Sequence, residues 1–157
     1  MSASVESLPT TLAVLNRIFA REKVSYLQYL QDAWVWTDAD GRAVWKEISR
    51  MIQEEQKMLQ RLAELIVRRK GILAKAGFDE RFSDSHFVAL AHLMPRLVAY
   101  QRWLIAELEK DLALLEDAEA SALGRELLEM KKRHLALLEE LQQRYGAKPS
   151  PAKPSAA

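Results

Sequence analysis

Apolar residues recur at alternating steps of three and four along four stretches of this chain, the spacing that gives a helix one buried face. The first helix is predicted from Leu12 to about Val35. Leu12, Leu15, Phe19, Glu22, Tyr26, Tyr29, Ala33 and Trp36 share its inner face, and the hydroxyl of Thr10 or Thr11 caps its start. Thr37-Asp38-Ala39-Asp40-Gly41 reads as a turn. The second helix runs from about Arg42 to Arg69, with Trp45, Ile48, Met51, Ile52, Glu55, Met58, Leu59, Leu62, Leu65 and Ile66 inward. Gly71 reads as its C-cap after the basic run Arg68-Arg69-Lys70. Ile72 to Ser85 forms the longest connection. The third helix begins near Ser83 or Ser85 and reaches about Leu115, with Pro95 inside it predicting a kink or a break at Met94. The fourth runs from about Ser121 to Tyr145 and ends at Gly146. Leu127, Lys131, His134, Leu138, Leu141 and Tyr145 line its inner face. Short, long and short connections between four long helices predict an all-α, antiparallel four-helix bundle with a long crossover between the second and third helices. Residues 1–11 are read as an N-terminal lead and 12–146 as the bundle. Residues 147–157 (AKPSPAKPSAA) are read as a disordered Pro/Ala/Lys tail.

Composition narrows the chemistry more than it changes the fold. A chain of 157 residues, 49% of them apolar, can bury a proper core as one domain. With 23 basic and 22 acidic residues the net charge is +1, which gives no drive towards nucleic acid or an anionic membrane. The absence of Cys excludes disulfides, thiolate metal sites and a Cys nucleophile. The first residues show no basic segment followed by an apolar run, and no apolar run approaches the ~18–20 residues of a membrane span, so a soluble cytoplasmic protein is expected. No Gly-rich phosphate loop, nucleophile–base pair or HExxH occurs. His86 and His92 lie six residues apart, a spacing that does not place two ligands on one helix face. Trp34, Trp36 and Trp45 surround the first turn, where they cap the bundle end or form a dimer contact.

Four charged or imidazole side chains break the apolar stripes: Glu22, Glu55, Lys131 and His134. The chain also repeats itself. Residues 22–30 and 96–104 share Val24 with Val98, Tyr26 with Tyr100 and Leu30 with Leu104, and set Tyr29 against Trp103. The first position changes sign, Glu22 against Arg96.

These features resemble the ferritin-like superfamily, with bacterioferritins and rubrerythrins closest in pattern, over roughly Leu12 to Tyr145. The resemblance rests on Glu22 followed by Gln28-Tyr29, on Glu55-Gln56-Lys57-Met58 before Leu62 and Leu65, and on Lys131-Lys132-Arg133-His134 before Leu138 and Leu141. In that family the second and fourth motifs read Glu-x-x-His, and four carboxylates with two imidazoles hold two iron or manganese ions. The resemblance therefore assigns former metal-site positions to Glu22, Glu55, Met58, Arg96, Lys131 and His134, with Arg96 placed by the internal repeat. Three of the six are no longer ligand types. The family's haem ligand would be a Met directly after Glu55. Gln56 stands there, so no haem is implied.

Two acids kept in one half and two bases gained in the other predict a metal-free centre. A Glu22/Glu55–Arg96/Lys131 network would replace the cofactor, with His134 as a hydrogen-bonding neighbour. On this reading the protein is not an enzyme. It has neither cofactor nor nucleic-acid partner, and acts as a homo-oligomer, such as a dimer, or through a protein partner. The alternative is an iron- or oxygen-handling, ferroxidase-like protein binding iron or manganese through Glu22, Glu55, Glu107 and His134. Glu107 and Asp111 are then the inward acids of the third helix. Glu54 with Lys57 and Glu129 with Lys132 are expected to form surface ion pairs.

Overall fold

The computed structural model describes residues 10–33, 35, 37–75 and 89–146. The N-terminal lead before Thr10, Trp34, Trp36, residues 76–88 of the long connection with His86, and the 147–157 tail lie outside the described residues. The elements are α1 (Thr11–Lys23), α2 (Tyr26–Leu30), α3 (Ala39–Arg68), α4 (Leu90–Leu112) and α5 (Ala118–Leu141), the last running into a wider π-helical turn at Gln142–Gly146. Together α1 and α2 fill the place of the first predicted helix. The result is a four-helix bundle whose first member is broken.

The break is chemical. Val24 leaves helical geometry, and Ser25 caps α2 by accepting from Gln28 N at 3.3 Å. The other starts are capped as short polar side chains dictate. Thr10 accepts from Ala13 N at 3.1 Å, Asp38 from Gly41 N at 2.7 Å, and Asp117 from Ala120 N at 2.9 Å. The third helix carries no side-chain cap at Ala89, and it continues through Pro95 without a break. Pro95 is the sixth residue of this helix, so one intrahelical donor is lost there without ending the helix.

Gly71 is not the left-handed residue that ends α3. That conformation falls on Lys70, with φ 62°. Lys70 N donates to Val67 O at 2.9 Å and Gly71 N to Ile66 O at 2.8 Å, the paired closure of a Schellman end. Gly71 is needed for space: a Cβ there would lie 2.8 Å from Leu12 Cδ2 and 2.9 Å from Ile66 Cγ2. A side chain in the left-handed region carries a strain that Gly avoids. Lys70→Gly is therefore expected to stabilise the fold by about 0.5–1 kcal/mol, read as a higher urea midpoint. An unchanged or lower midpoint contradicts this account.

Cross-helix contacts fix the topology. Arg69 at the end of α3 holds Asp117 at the start of α5, at 2.8 and 3.1 Å, and Tyr145 beyond α5 donates to Asp38 before α3 at 3.2 Å. These two helices are antiparallel. The Arg69 hydrogen bonds hold the Asp117 carboxyl down to about 2. Leu12 lies against Ile66, and Gln28 against Ile52, so the α1–α2 limb is antiparallel to α3. Arg17 meets Asp111, and the Tyr26 and Tyr100 rings meet edge-on with centroids 5.8 Å apart, so that limb is antiparallel to α4 as well. The end of α3 and the start of α4 thus lie at opposite ends of the bundle, as a long crossover requires. Asn16 holds the first residues past α3 against α1, donating to Ile72 O and accepting from Ala74 N, both at 2.9 Å.

The core falls into two apolar clusters. One gathers Leu27, Leu30, Ile48, Met51, Leu93, Met94, Leu97, Leu138 and their neighbours. The other gathers Leu15, Ile18, Phe19, Leu62, Leu65, Leu108, Leu127 and theirs. The charged interruptions of the sequence pattern lie between them.

Candidate functional site

Burying a charge between apolar layers is unfavourable unless a partner compensates it. Six polar side chains occupy this position, each no more than 3% exposed: Glu22, Ser25, Glu55, Gln101, Lys131 and His134. Helical spacing explains most of them. Glu22 continues the buried row of Leu15, Ile18 and Phe19, Glu55 that of Ile48, Met51 and Ile52, and Lys131 with His134 that of Leu127 and Leu138. Ser25 lies in the layer three residues after Glu22, at the cap of α2.

Lys131 is the hub. Its Nζ lies 2.5 Å from Glu22 Oε2 and donates to Glu55 Oε2 at 2.9 Å. The second oxygen of Glu55 accepts from the Ser25 hydroxyl at 2.7 Å and from Gln28 Nε2 at 3.4 Å. Gln101 Nε2 donates to the carbonyl of Lys131 at 3.0 Å, fixing the backbone behind the ammonium. His134 Nε2 lies 3.3 Å from Glu54 Oε2 at the bundle surface, and Arg133 Nη1 lies 3.7 Å from the same oxygen. Glu22 Oε1 and His134 Nδ1 are buried without a hydrogen-bond partner.

Electrostatics follow from one cation between two acids. Burial alone would lower the Lys131 pKa, but attraction to Glu22 and Glu55 outweighs it and raises it, so the amine stays protonated and offers no lone pair. Glu22 is raised above the ordinary carboxylate range, by burial first. Lys131 opposes this, and the like charge of Glu55 adds to it. Burial lowers the His134 pKa, and the neighbouring Glu55 and Glu54 oppose the shift. An acid with a raised folded-state pKa holds its proton more tightly folded than unfolded. Its contribution is complete below the unfolded value of 4.5 and is lost as pH rises through the folded value. Glu22→Gln mimics the protonated form and removes that loss. The stability of Glu22→Gln relative to the native chain is expected to climb from about pH 4.5 towards 7 and to end within about 1 kcal/mol of it or above. Urea titrations of both proteins across this range check the sign. A difference that falls with pH would show the carboxylate stabilised in its charged form.

Not every residue singled out from sequence reaches the layer. Arg96 is half-buried, its guanidinium carbon 5.7 Å from the Tyr26 ring centroid. The expectation that the internal repeat carries Arg96 to the centre is corrected by helix phase. In α4 Arg96 and Tyr100, four residues apart on one helix face, are both half-buried at the flank of the inward row. The buried row of α4 is Met94, Leu97, Val98, Gln101, Leu104, Ile105, Leu108 and Asp111, and Gln101 is what it brings to the layer. Glu107 is half-buried at the flank and accepts from Lys110 at 3.0 Å, so the alternative set Glu22, Glu55, Glu107 and His134 is not assembled. Asp111 does point inward, but towards Arg17 and Arg21. Met58 packs in the second cluster beside Leu62, its sulfur accepting from Arg61 Nη1 at 3.5 Å. Glu54 turns to Arg133 and His134 rather than to Lys57, and Lys132 lies 3.8 Å from Glu109 rather than beside Glu129. Among the described residues, no three His, Cys, Asp or Glu side chains gather into a group that could hold a metal ion.

Ser25, Gln101 and the Arg17–Asp111–Arg21 cluster were not singled out as partners from sequence. Ser25-Tyr26-Leu27-Gln28 carries the Ser-x-x-Gln spacing of a helix start, a signal hidden inside a longer apolar stripe. Gln101 falls on the α4 stripe, but a neutral amide there does not stand out as a break. No signal marks Arg17 and Arg21.

A family model for the ferritin-like domain matches residues 12–145, and the chain belongs to that family. Neither a curated protein nor a solved structure matches it. No helix among the described residues is long and apolar enough to cross a membrane.

Proposed function

We propose that this is a non-catalytic ferritin-like protein in which a tethered ammonium replaces the two metal ions of the family's centre. The reading is carried by the position of Lys131 Nζ between the carboxylates of Glu22 and Glu55. A cation held there by a covalent stem does for the two acids what a metal would do, and it fills the space between them. The residues present do not fit a di-metal set. Of the six positions, Lys131 is a protonated amine, Met58 a thioether and Arg96 a guanidinium, and the buried row of α4 brings the neutral Gln101 instead of an acid. His134 has one nitrogen engaged with Glu54. No redox step is therefore routed through this centre. The protein acts in the cytoplasm through its surface, as a homo-oligomer or bound to a protein partner.

Metal analysis tests the first part. The purified chain, equilibrated with excess Fe(II) or Mn(II) and desalted, is expected to retain no stoichiometric metal and to oxidise Fe(II) no faster than buffer. Two equivalents of tightly held metal, or a catalysed oxidation, would establish the iron-handling alternative instead. Size-exclusion chromatography with light scattering reads the oligomeric state.

A further inference from the structure

Ser25 and Gln28 carry a capping-box spacing, in which the Gln side chain ordinarily returns to the backbone N–H of the cap residue. Only half of that box is made. Ser25 Oγ accepts from Gln28 N at 3.3 Å, but Ser25 N donates to the Glu22 carbonyl at 3.2 Å, which leaves the Gln28 side chain for another use. That side chain crosses to α3. Its Nε2 donates to the Ile52 carbonyl at 3.1 Å and to Glu55 Oε1 at 3.4 Å, and its Oε1 accepts from Gln56 Nε2 at 3.4 Å. Gln56 is exposed, and also donates to the exposed Gln31 at 2.9 Å. One half-buried amide thus stands between the surface and Glu55, whose other oxygen holds Lys131. A second contact leaves the layer where His134 Nε2 meets Glu54. It does not continue inward, because His134 Nδ1 has no hydrogen-bond partner.

We infer that Gln28 is a gate to the buried charges: water reaches the Glu55–Lys131 pair when this amide swings outward, and is excluded while the amide lies across the pair. The closed position is held lightly. Its two bonds at 3.4 Å exceed the usual N–H···O range of about 2.7–3.2 Å, so opening breaks one bond of ordinary length, that to Ile52 O. Ile52 lies inside α3, and its carbonyl keeps its intrahelical partner. Glu55 keeps its bonds from Ser25 and Lys131, so opening strands no buried charge. The gate therefore sets how fast water and protons exchange with the layer while the bundle stays folded. The inference rests on Lys131 being the tethered cation of the centre. Metal retention would defeat that reading, whereas unaltered ammonium exchange in the variant below defeats this inference alone.

Nitrogen-15 NMR of the native chain reads the exchange of the Lys131 ammonium protons with water. They are expected to exchange slowly enough to be observed, and about tenfold or more faster in Gln28→Ala, while core amides of α3 and α5 keep their protection. Gln56→Ala loosens the latch from the exposed side without touching a buried residue, and is expected to speed the same exchange to a smaller degree. Glu54→Gln acts where His134 meets the surface and should leave it unchanged. Four results would overturn the inference. They are a native ammonium already in fast exchange, no acceleration in Gln28→Ala, equal acceleration in Glu54→Gln, and acceleration matched by lost protection across α3 and α5, which would assign the exchange to unfolding.

Discussion

Replacing Lys131 by Met is expected to destabilise the protein by about 3–5 kcal/mol at pH 7, the usual consequence of removing one partner from a buried ion pair. The side chain is fully buried and neutralises two acids at once, so its loss leaves Glu22 and Glu55 facing each other between two apolar clusters. Ser25 and Gln28 still donate to Glu55, while Glu22 has no comparable donor. Acid should relieve the defect. With the ammonium gone, the two buried carboxylates repel each other, and protonation removes the uncompensated charge. The deficit of Lys131→Met relative to the native chain is therefore expected to shrink as pH falls from 7 towards 4. The triple variant Glu22→Gln, Glu55→Gln, Lys131→Met is expected to recover much of the loss at pH 7, because no buried charge is left. Urea unfolding of the three proteins, compared at constant m-value, decides the matter. A single variant within about 1 kcal/mol of the native chain at neutral pH would mean that water reaches the carboxylates and that Lys131 does not compensate them.

The centre was partly legible in the sequence because charge on an apolar stripe is conspicuous. Glu22, Glu55, Lys131 and His134 each break a three–four spacing, and each lies in the buried layer. Helix phase is rigid over such lengths, so a residue's inward position can be counted from its neighbours. That counting does not carry over from one copy of the repeat to the other, because sequence likeness does not fix how each helix is rotated against its neighbours. Glu22 and Tyr26 face the core in residues 22–30, whereas Arg96 and Tyr100 lie at the flank of α4 in residues 96–104, with the Tyr26 and Tyr100 rings still in contact. The end of α3 shows a second limit. Gly next to a basic run reads as a cap, yet here Gly answers the closeness of Leu12, a contact made by a residue 59 positions earlier in the chain. Long-range proximity of this kind leaves no mark on local spacing.

The second large effect is expected at Asp111, the other buried acid of the bundle. Both of its oxygens are engaged. Oδ1 accepts from Arg17 Nε at 2.9 Å and from Arg17 Nη2 at 2.6 Å, and Oδ2 accepts from Arg21 Nη2. The two arginines are not equivalent. Arg17 is half exposed, so water can take over its hydrogen bonds, and Arg17→Ala is expected to cost no more than about 1 kcal/mol. The Arg21 side chain is only 12% exposed, and its Nε is buried without a partner. Asp111→Ala would strand that guanidinium between α1 and α4, at an expected cost of about 3 kcal/mol. The damage should be local first. The 13-residue α1 is joined to α4 through this cluster, and a helix of that length is marginal without tertiary support. Amides of α1 are therefore expected to lose hydrogen-exchange protection before those of α3 and α5. Pairing Asp111→Leu with Arg21→Met removes both buried charges and is expected to restore most of the stability. If Asp111→Ala and Arg17→Ala prove equally mild, with α1 still protected, Arg21 reaches solvent on its own and the cluster does not hold α1 to the bundle.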